Sequence, residues 1–293
     1  RTTQMLTING TSVGLKGDSG ELCTTITGDF TGTGVSDSAI LKINGRYCFV
    51  TNLAFSASAT REAATNVHAH GIWIEADDNG TADSNPGVYQ SLFIEKQPGD
   101  GIVGIAKIWN TTFDNIRVRD CKGHGFCFDN GTKTSRTNKA NPGEVIINSC
   151  QVFDNGGHAL LIGNTNENSN RGFRFQVNNF DAYRNAESAG VRITDDQIWA
   201  FCDTTRFESC AVDGFNQAES SVATNGIKIL GQNISIYNTR FLNVFAHAVT
   251  VDDQLTFPTF GIIIENIYLY ADMPAQLDPV VNVSSSVQDV KVS

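Results

Sequence analysis

The sequence predicts an all-β protein, a parallel β-helix with three short strands in each turn, or rung, of the solenoid. An eight-residue template of alternating apolar positions around a small polar residue recurs at intervals of about 30 residues. A shorter apolar motif precedes the later copies, and no helical periodicity lies between them. Repeats of this length indicate a solenoid in which each unit packs only on its neighbours.

Two strands of each rung flank the small polar residue, which we call the marker. The alternation on either side of it predicts two half-buried strands, because alternate side chains of a strand point to opposite faces. The marker itself predicts a tight corner, since Asn tolerates the left-handed conformation and Ser and Thr bond to local backbone. The eight markers, which should stack at one corner, are Asn52, Ser91, Asn115, Ser149, Asn179, Thr204, Asn238 and Asn266, with a ninth copy expected at Asp289.

The third strand is predicted from a Gly or Ala followed by alternating apolar residues upstream of each later marker. A weaker member of this set is Gly101 to Val103. The clear copies are Gly71 to Ile74, Gly125 to Phe128, Ala159 to Ile162, Gly190 to Ile193, Gly226 to Ile229 and Ala248 to Val251.

The repeat predicts one elongated domain over residues 39–293. Residues 1–38 are rich in Gly and Thr and lack the full template, so they are expected to form a polar cap or irregular first rungs. The sequence starts with Arg and ends within a strand, which predicts a piece of a longer protein, truncated at its C-terminus.

Charge and cysteine content narrow the classes of partner. The formal net charge of −10 argues against nucleic acid and anionic membranes, and no apolar run is long enough to cross a membrane. Seven cysteines cannot all pair, and Cys48, Cys150 and Cys202 fall on inward positions. We therefore expect buried free thiols rather than a disulfide framework, as in a protein assembled in a reducing cytoplasm.

Four polar insertions indicate the working face. They span 76–87, 131–143, 163–171 and 217–225, and all are expected to follow the third strand and to form a wall along one side of the rod. An extended polar wall beside a flat sheet fits an extended polar polymer, which favours polysaccharide as the ligand.

Carboxylates beside these insertions are the predicted catalytic acids, namely Asp129, Asp195 and Asp196. Glycoside hydrolysis needs two carboxylates, about 5 Å apart for retention or about 6.5–9.5 Å apart for inversion. Neighbouring rungs can supply either spacing. The competing interpretation makes these residues ordinary solvated turn acids.

Further residues are predicted to contact the substrate. Glu75 follows the third strand of an earlier rung, while Arg192 and Lys228 are expected to point outward and to bind acidic sugar groups. His124 and His158 belong to a column with His70 and His247, and this recurrence favours a stacking or corner-bonding role over catalysis. Ligands on one ladder are collinear, so no metal is predicted, and no cofactor is predicted either. Arg117, Arg206 and Arg240 should also point outward, each two residues after a marker.

The template and the segments Asn115 to Phe126 and Asn148 to Leu160 resemble the pectate-lyase-like right-handed β-helix superfamily, from about Ile40 to the end. This superfamily includes lyases, hydrolases, epimerases and bacteriophage tailspikes, so the resemblance implies the fold more strongly than the activity. The polygalacturonase motifs do not fit, because Gly123-His124-Gly125 and Asp195-Asp196 occur in reversed order and the other two motifs are absent.

Within the superfamily the chain looks most like the shaft of a bacteriophage tailspike or tail fibre. That resemblance implies a homotrimer on the virion tail that binds and depolymerises bacterial capsule or O-antigen polysaccharide. An outward apolar row predicts the subunit interface: Phe49, Val88, Ile146, Phe201 and Ile263. The alternatives are a non-catalytic receptor-binding or structural shaft, and a secreted microbial polysaccharide lyase or epimerase.

Overall fold

The computed structural model describes residues 2–18, 24–32, 38–75, 86–105, 108–128, 142–163, 171–185, 196–214, 225–244, 246–253, 258–270 and 280–293. Over these ranges the chain is a right-handed parallel β-helix in which every named strand pairs in parallel with a neighbouring rung. The predicted fold class is confirmed. In this part of the chain, no helix is long and apolar enough to cross a membrane.

The strands fall into ten successive rungs within the described ranges, with one short helix, α1 (Ala59–Glu62), after the second. The first five rungs contain β1 (Leu6–Ile8), β2 (Gly14–Lys16), β3 (Thr24–Gly28); β4 (Leu41–Ile43), β5 (Cys48–Ala57); β6 (Ile72–Glu75), β7 (Gly87–Glu95); β8 (Ile102–Ile105), β9 (Thr111–Arg119); and β10 (Phe126–Phe128), β11 (Val145–Asn148), β12 (Gln151–Phe153).

The remaining rungs contain β13 (Leu160–Ile162), β14 (Gly172–Phe173), β15 (Gln176–Asn178), β16 (Asp181–Tyr183); β17 (Asp196–Asp203), β18 (Arg206–Glu208), β19 (Ala211–Asp213); β20 (Asn225–Gln232), β21 (Ser235–Tyr237), β22 (Arg240–Leu242); β23 (Val249–Val251), β24 (Phe260–Glu265), β25 (Tyr268–Leu269); and β26 (Val281–Val283), β27 (Gln288–Val292). Strands β1 to β3 pair in register with β4 and β5, so these three strands form a rung of their own.

The marker residues adopt the predicted left-handed conformation. All eight have φ between 49° and 57°, and seven of them stack at one corner of the helix. Side chains bond along this corner where their lengths allow, as between Asn266 Nδ2 and Asn238 Oδ1 at 3.1 Å. The polar ladder predicted from the sequence is therefore present at this corner.

The placement of Thr204 and Asp289 at that corner is wrong. The pairing of Asn178 with Glu208, and of Glu208 with Tyr237, puts Ser209 between Asn179 and Asn238. Thr204 and Asp289 lie at the preceding corner. Successive corners with left-handed residues are five residues apart along the chain. At each corner, the residue two positions before it and the residue three positions after it point into the core. The template therefore fits both corners equally well.

The predicted interface row is wrong at Phe201 for the same reason. Phe201 is 1% exposed and pairs with Leu230, whereas the residue that shares the row with Ile146 is Arg206. The row also includes Thr112, Gln176 and Ser235, so it is not continuously apolar. Large exposed apolar side chains of this face concentrate on its first rungs, at Phe49 and Val88.

The core follows the alternation of the template. Inward aromatic rings stack from rung to rung, as between Tyr89 and Phe113, whose centroids lie 5.0 Å apart. Cys48, Cys150 and Cys202 are buried and free as predicted, like every other described cysteine. Burial raises the pKa of Cys150 and of Cys202 to about 12, which keeps these thiols protonated and unreactive near neutral pH.

A buried polar ladder runs through the core after the third corner of the rung. Asn155 Nδ2 donates to Asn185 Oδ1 at 2.8 Å, and the Gln197 amide bonds to the backbone of Asn185. Towards the first rungs Arg61, which is completely buried, donates from Nε to Gln97 Oε1 at 3.1 Å. Each hydrogen bond in this ladder reduces the free-energy cost of burying polar groups inside the solenoid.

The Arg61 guanidinium connects segments of the first rungs through hydrogen bonds to their backbone carbonyls. Its Nη1 donates to the carbonyl of Phe30 at 2.6 Å, and its Nη2 donates to the carbonyls of Ser38 and His70 at 2.7 and 2.8 Å. Burial lowers the pKa of Arg61 to about 10, so the side chain remains charged at neutral pH.

Candidate functional site

The third-strand side of the helix is the face on which the sequence predicts the site. A ladder of polar residues lies here, two positions before the aligned third strands. The strand register stacks its members in successive rungs as His70, Asp100, His124, His158, Asp196, Asn225 and His247.

Backbone hydrogen bonds occupy the histidine rings of this ladder. The amide of His124 donates to Asp100 Oδ1 at 2.7 Å, and the amide of His158 donates to Nδ1 of His124 at 2.9 Å. The two imidazole rings stack with centroids 5.1 Å apart. The predicted stacking and corner-bonding role is confirmed for His124 and His158, which belong to the scaffold of the helix.

His158 gives the scaffold a pH dependence. Burial lowers its pKa to about 4, while a hydrogen bond from Nδ1 to the Asp196 carbonyl at 2.8 Å opposes the shift. The unfolded chain takes up this proton near pH 6.5, before the folded chain does. The stabilising contribution is therefore complete above pH 6.5 and is lost as the pH falls towards 4.

We expect His158→Asn to remove this acid sensitivity, because Asn225 occupies the same ladder position two rungs later and pairs there. Wild-type protein should lose about 3 kcal/mol of unfolding free energy from this group between pH 6.5 and pH 4. The unfolding free energy of the variant should fall by about 3 kcal/mol less over the same pH range, as measured by urea denaturation at several pH values. Equal pH dependence in both proteins would contradict the assignment.

Asp196 does not follow the third strand, and this prediction is wrong. Ile198 to Ala200 of β17 pair with the third strand Leu160 to Ile162, so Asp196 is the first residue of this strand and lies before its paired segment. Asp196 Oδ1 accepts a hydrogen bond from Asn225 Nδ2 at 2.8 Å within the ladder. The segment Gly190 to Ile193, with Arg192, lies outside the described residues, as do Asp129 and Asp195.

The insertions also differ in the strand that they follow along the chain. Those at 76–87, 131–143 and 163–171 follow the third strand as predicted, but the stretch 217–225 connects β19 to β20 and so precedes it. The prediction that all four insertions follow the third strand is therefore wrong for the fourth.

Glu75 and Lys228 occupy opposite parts of the third-strand face. Glu75 is 6% exposed, and its Oε2 lies 2.9 Å from Nζ of Lys42 and accepts from the Trp73 indole at 3.2 Å. Lys228 lies five rungs further on, roughly 24 Å along the axis, where its Nζ is 3.1 Å from Asp252 Oδ2. His124, His158 and Asp196 thus share a ladder, Lys228 lies near its end, and Glu75 is remote.

A groove on another face was missed by the sequence analysis. It has a volume of about 600 Å³ and crosses the outer surface of β12, β16, β19 and β22, parallel to the helix axis. Its lining combines aromatic, acidic, basic and small residues: Gln151, Phe153, Asp181, Ala182, Tyr183, Arg184, Ala211, Asp213, Arg240, Leu242 and Tyr270.

The floor of this groove is a notch between two charged side chains. Asp181, Ala211 and Arg240 follow one another in successive rungs at the same strand position. The methyl group of Ala211 therefore separates the carboxylate and the guanidinium by two rung spacings, roughly 10 Å. Neither charged side chain makes a hydrogen bond or ion pair with the residues that the structure describes, so both are available to a ligand.

Tyrosine rings flank the notch. Tyr183 and Tyr270 are 40% and 49% exposed, and Asp213 lies between them in the same column. The Arg184 guanidinium covers one side of the Tyr183 ring at 4.6 Å and donates to Asp154 Oδ2 at 2.9 Å. This contact fixes the Tyr183 ring at the edge of the groove.

The groove contains two carboxylates on neighbouring rungs, Asp181 and Asp213. Asp181 pairs with Ala211, and Asp213 lies two residues further along that rung, which puts the two Cα atoms roughly 8 Å apart. Asn243 Nδ2 donates to Asp213 Oδ1 at 3.0 Å and orients that carboxylate. Side chains on Cα atoms at this spacing can bring their carboxyl groups to about 6.5–9.5 Å from each other, which leaves room for a water molecule beside the glycosidic bond.

A sequence signal for this groove existed. Its side chains lie two and four residues after the marker corner, and Arg240 was already expected to point outward there. The error at Thr204 hid the pattern, because Ser209 rather than Thr204 is the marker that aligns Ala211 and Asp213 with Asp181 and Tyr183. Arg117 and Arg240 share this face, whereas Arg206 lies on the adjacent one.

No group of three or more His, Cys, Asp or Glu side chains within the described ranges is placed to hold a metal ion.

Solved structures with a similar fold include a viral protein and a polysaccharide-modifying enzyme. The Geobacillus virus E2 protein ORF18 is 15% identical, with a TM-score of 0.66 over 99% of this chain and 49% of its own length. The A-module of mannuronan C-5 epimerase AlgE4 from Azotobacter vinelandii is 10% identical, with a TM-score of 0.58 over 92% of this chain and 84% of its own. Similarity at these identities establishes the shared β-helix fold.

This chain spans about half the length of the viral protein. No protein-family model matches the sequence, and no curated protein matches it.

Proposed function

We propose that this chain is the shaft of a bacteriophage tailspike that binds bacterial surface polysaccharide, capsule or O-antigen, along the groove and cleaves it. The observation that carries the proposal is the groove itself. It runs across several rungs, as an extended polymer requires, and its volume lies within the range of about 300–1,000 Å³ found for ligand pockets.

The chemistry of the groove supports a carbohydrate ligand. The exposed faces of Tyr183 and Tyr270 can pack against the apolar faces of sugar rings, and tyrosine hydroxyls can bond to the ring substituents. Asp181 accepts from sugar hydroxyls, and Arg240 donates to hydroxyl or acidic oxygens. A polar polymer satisfies both charged groups without displacing an existing partner.

Cleavage is proposed to use Asp181 and Asp213. One carboxylic acid would protonate the glycosidic oxygen while the other carboxylate activates a water molecule on the opposite side of the sugar, the arrangement of an inverting hydrolase. The acids predicted from the sequence, Asp129, Asp195 and Asp196, stay an alternative set. Of these, only Asp196 is described, and it lies in the ladder on the other face.

The fold shared with a viral chain supports a place on the virion tail, where such a protein acts outside the host cell. A homotrimer stays a prediction of the resemblance. Its interface would have to include the exposed side chains of the first rungs, Phe49 and Val88, and not the buried Phe201. A non-catalytic receptor-binding shaft would use the same groove without the acid pair, and a secreted enzyme would use both.

The proposal predicts that Tyr183→Ala weakens binding of a bacterial surface polysaccharide at least about tenfold, because it removes a stacking ring from the groove. Binding is measured by calorimetry on a panel of purified capsule and O-antigen polysaccharides, and cleavage by release of reducing ends and by absorbance of unsaturated products. Tyr237→Ala on the neighbouring face is the matched control and should bind like wild type. Equal loss in both variants, or in neither, would contradict a role for the groove.

A further inference from the structure

A second pocket lies on the third-strand face, near the C-terminal rungs and away from the groove. It has a volume of about 460 Å³ and is lined by outward side chains of β20, β23 and β26. Lys228, Thr250 and Asn282 stack across it in successive rungs, Asn225 and His247 lie at one end, and Asp252 lies at the other.

Two acceptor atoms in this pocket are buried without a hydrogen-bond donor among the described residues. Asn225 donates from Nδ2 to Asp196 at 2.8 Å, which fixes the amide plane, but its Oδ1 has no donor. The Thr250 Oγ1 is likewise buried and without a partner. A buried polar atom without a hydrogen-bond partner is destabilising, so a ligand that brings hydroxyl groups to both atoms gains free energy on binding.

The charges of Lys228 and Asp252 in this pocket neutralise each other. Lys228 Nζ lies 3.1 Å from Asp252 Oδ2, and Asp252 Oδ1 accepts from the amide of Asp253 at 2.9 Å. The pair therefore presents one strong donor and one strong acceptor, held in place, with no net charge. An anionic ligand would meet Asp252 and a cationic ligand would meet Lys228, so the pocket favours a neutral ligand rich in hydroxyl groups.

We infer that this pocket is a second saccharide site, which binds a neutral pyranose through vicinal hydroxyl groups. Each hydroxyl donates to one acceptor, Asn225 Oδ1, Thr250 Oγ1 or Asp252, and accepts from the Lys228 ammonium in turn. The site involves none of the groove residues, so it can be tested independently of cleavage at Asp181 and Asp213. It would let the rod hold a second sugar, free or as a side branch of a polymer, on a different face.

The test is a calorimetric titration of the full chain carrying Tyr183→Ala, which weakens the groove, with glucose, galactose, mannose and N-acetylglucosamine. We expect at least one of these sugars to bind, and glucuronate to bind more weakly than glucose. Adding Thr250→Val should weaken binding about three- to tenfold, since it removes one hydrogen-bonding hydroxyl at almost constant volume.

Thr112→Val is the matched control, because Thr112 is a half-buried outward residue of β9 far from the pocket. It should leave the affinity unchanged, and thermal unfolding of both variants checks their fold. Binding of none of the four sugars, or equal affinity in the Thr250→Val and Thr112→Val proteins, would overturn the inference. Loss of polysaccharide binding at the groove alone would leave the inference standing.

Discussion

Arg61→Met is expected to lower the free energy of unfolding by about 3–5 kcal/mol, among the largest effects expected of any single substitution in this chain. The substitution keeps the length of the side chain but removes all the donors. It removes the side-chain donor to the carbonyls of Phe30, Ser38 and His70 and to the Gln97 amide oxygen, and of the three carbonyls His70 keeps the Ile40 amide as a donor. Urea denaturation followed by circular dichroism measures the loss.

The matched control is Arg117→Met, because Arg117 is exposed on β9. Surface substitutions of this kind usually change stability by no more than about 0.5 kcal/mol. If Arg61→Met lowered the free energy of unfolding no more than Arg117→Met does, the guanidinium would not be the group that connects the first rungs to α1.

The second large effect is expected at the acid pair of the groove. Asp181→Asn and Asp213→Asn should each lower the rate of polysaccharide cleavage by about 10²–10⁴-fold, the usual contribution of a general acid or base. The affinity for the polymer should change far less, because asparagine keeps the shape of the side chain and one acceptor oxygen for sugar hydroxyls. Reducing-end release under single-turnover conditions measures the first quantity, and calorimetry measures the second.

Asp129→Asn, Asp195→Asn and Asp196→Asn provide the decisive comparison for that prediction. These variants should cleave like wild type if the groove is the active site. A large loss in any of them, with Asp181→Asn and Asp213→Asn fully active, would move catalysis to the third-strand face.

The fold could be predicted from sequence because a solenoid repeats its physical requirements in every rung. Inward positions must be apolar and corners must accept positive φ, so Asn115, Ser149 and Asn179 mark their corners reliably. The register around Thr204 could not be fixed in the same way. Corners five residues apart impose the same alternation, and only strand pairing distinguishes Thr204 from Ser209.

The site was harder to predict, for a related reason. Acids near insertions attract attention in a sequence, yet Asp196 is part of a ladder that bonds one rung to the next. The groove depends on side chains that come together only when rungs are aligned, such as Asp181, Ala211 and Arg240, which are separated by 30 and 29 residues. If the rungs are aligned one corner out of register, these three residues no longer fall in one column.

The most direct measurement of the central claim is the structure of the protein in complex with an oligosaccharide cut from a surface polysaccharide that it binds. The account predicts sugar rings aligned with the helix axis in the groove, with one ring against Tyr183 and with hydroxyl or acidic groups on Asp181 and Arg240. An oligosaccharide bound elsewhere while the groove holds no sugar would contradict it.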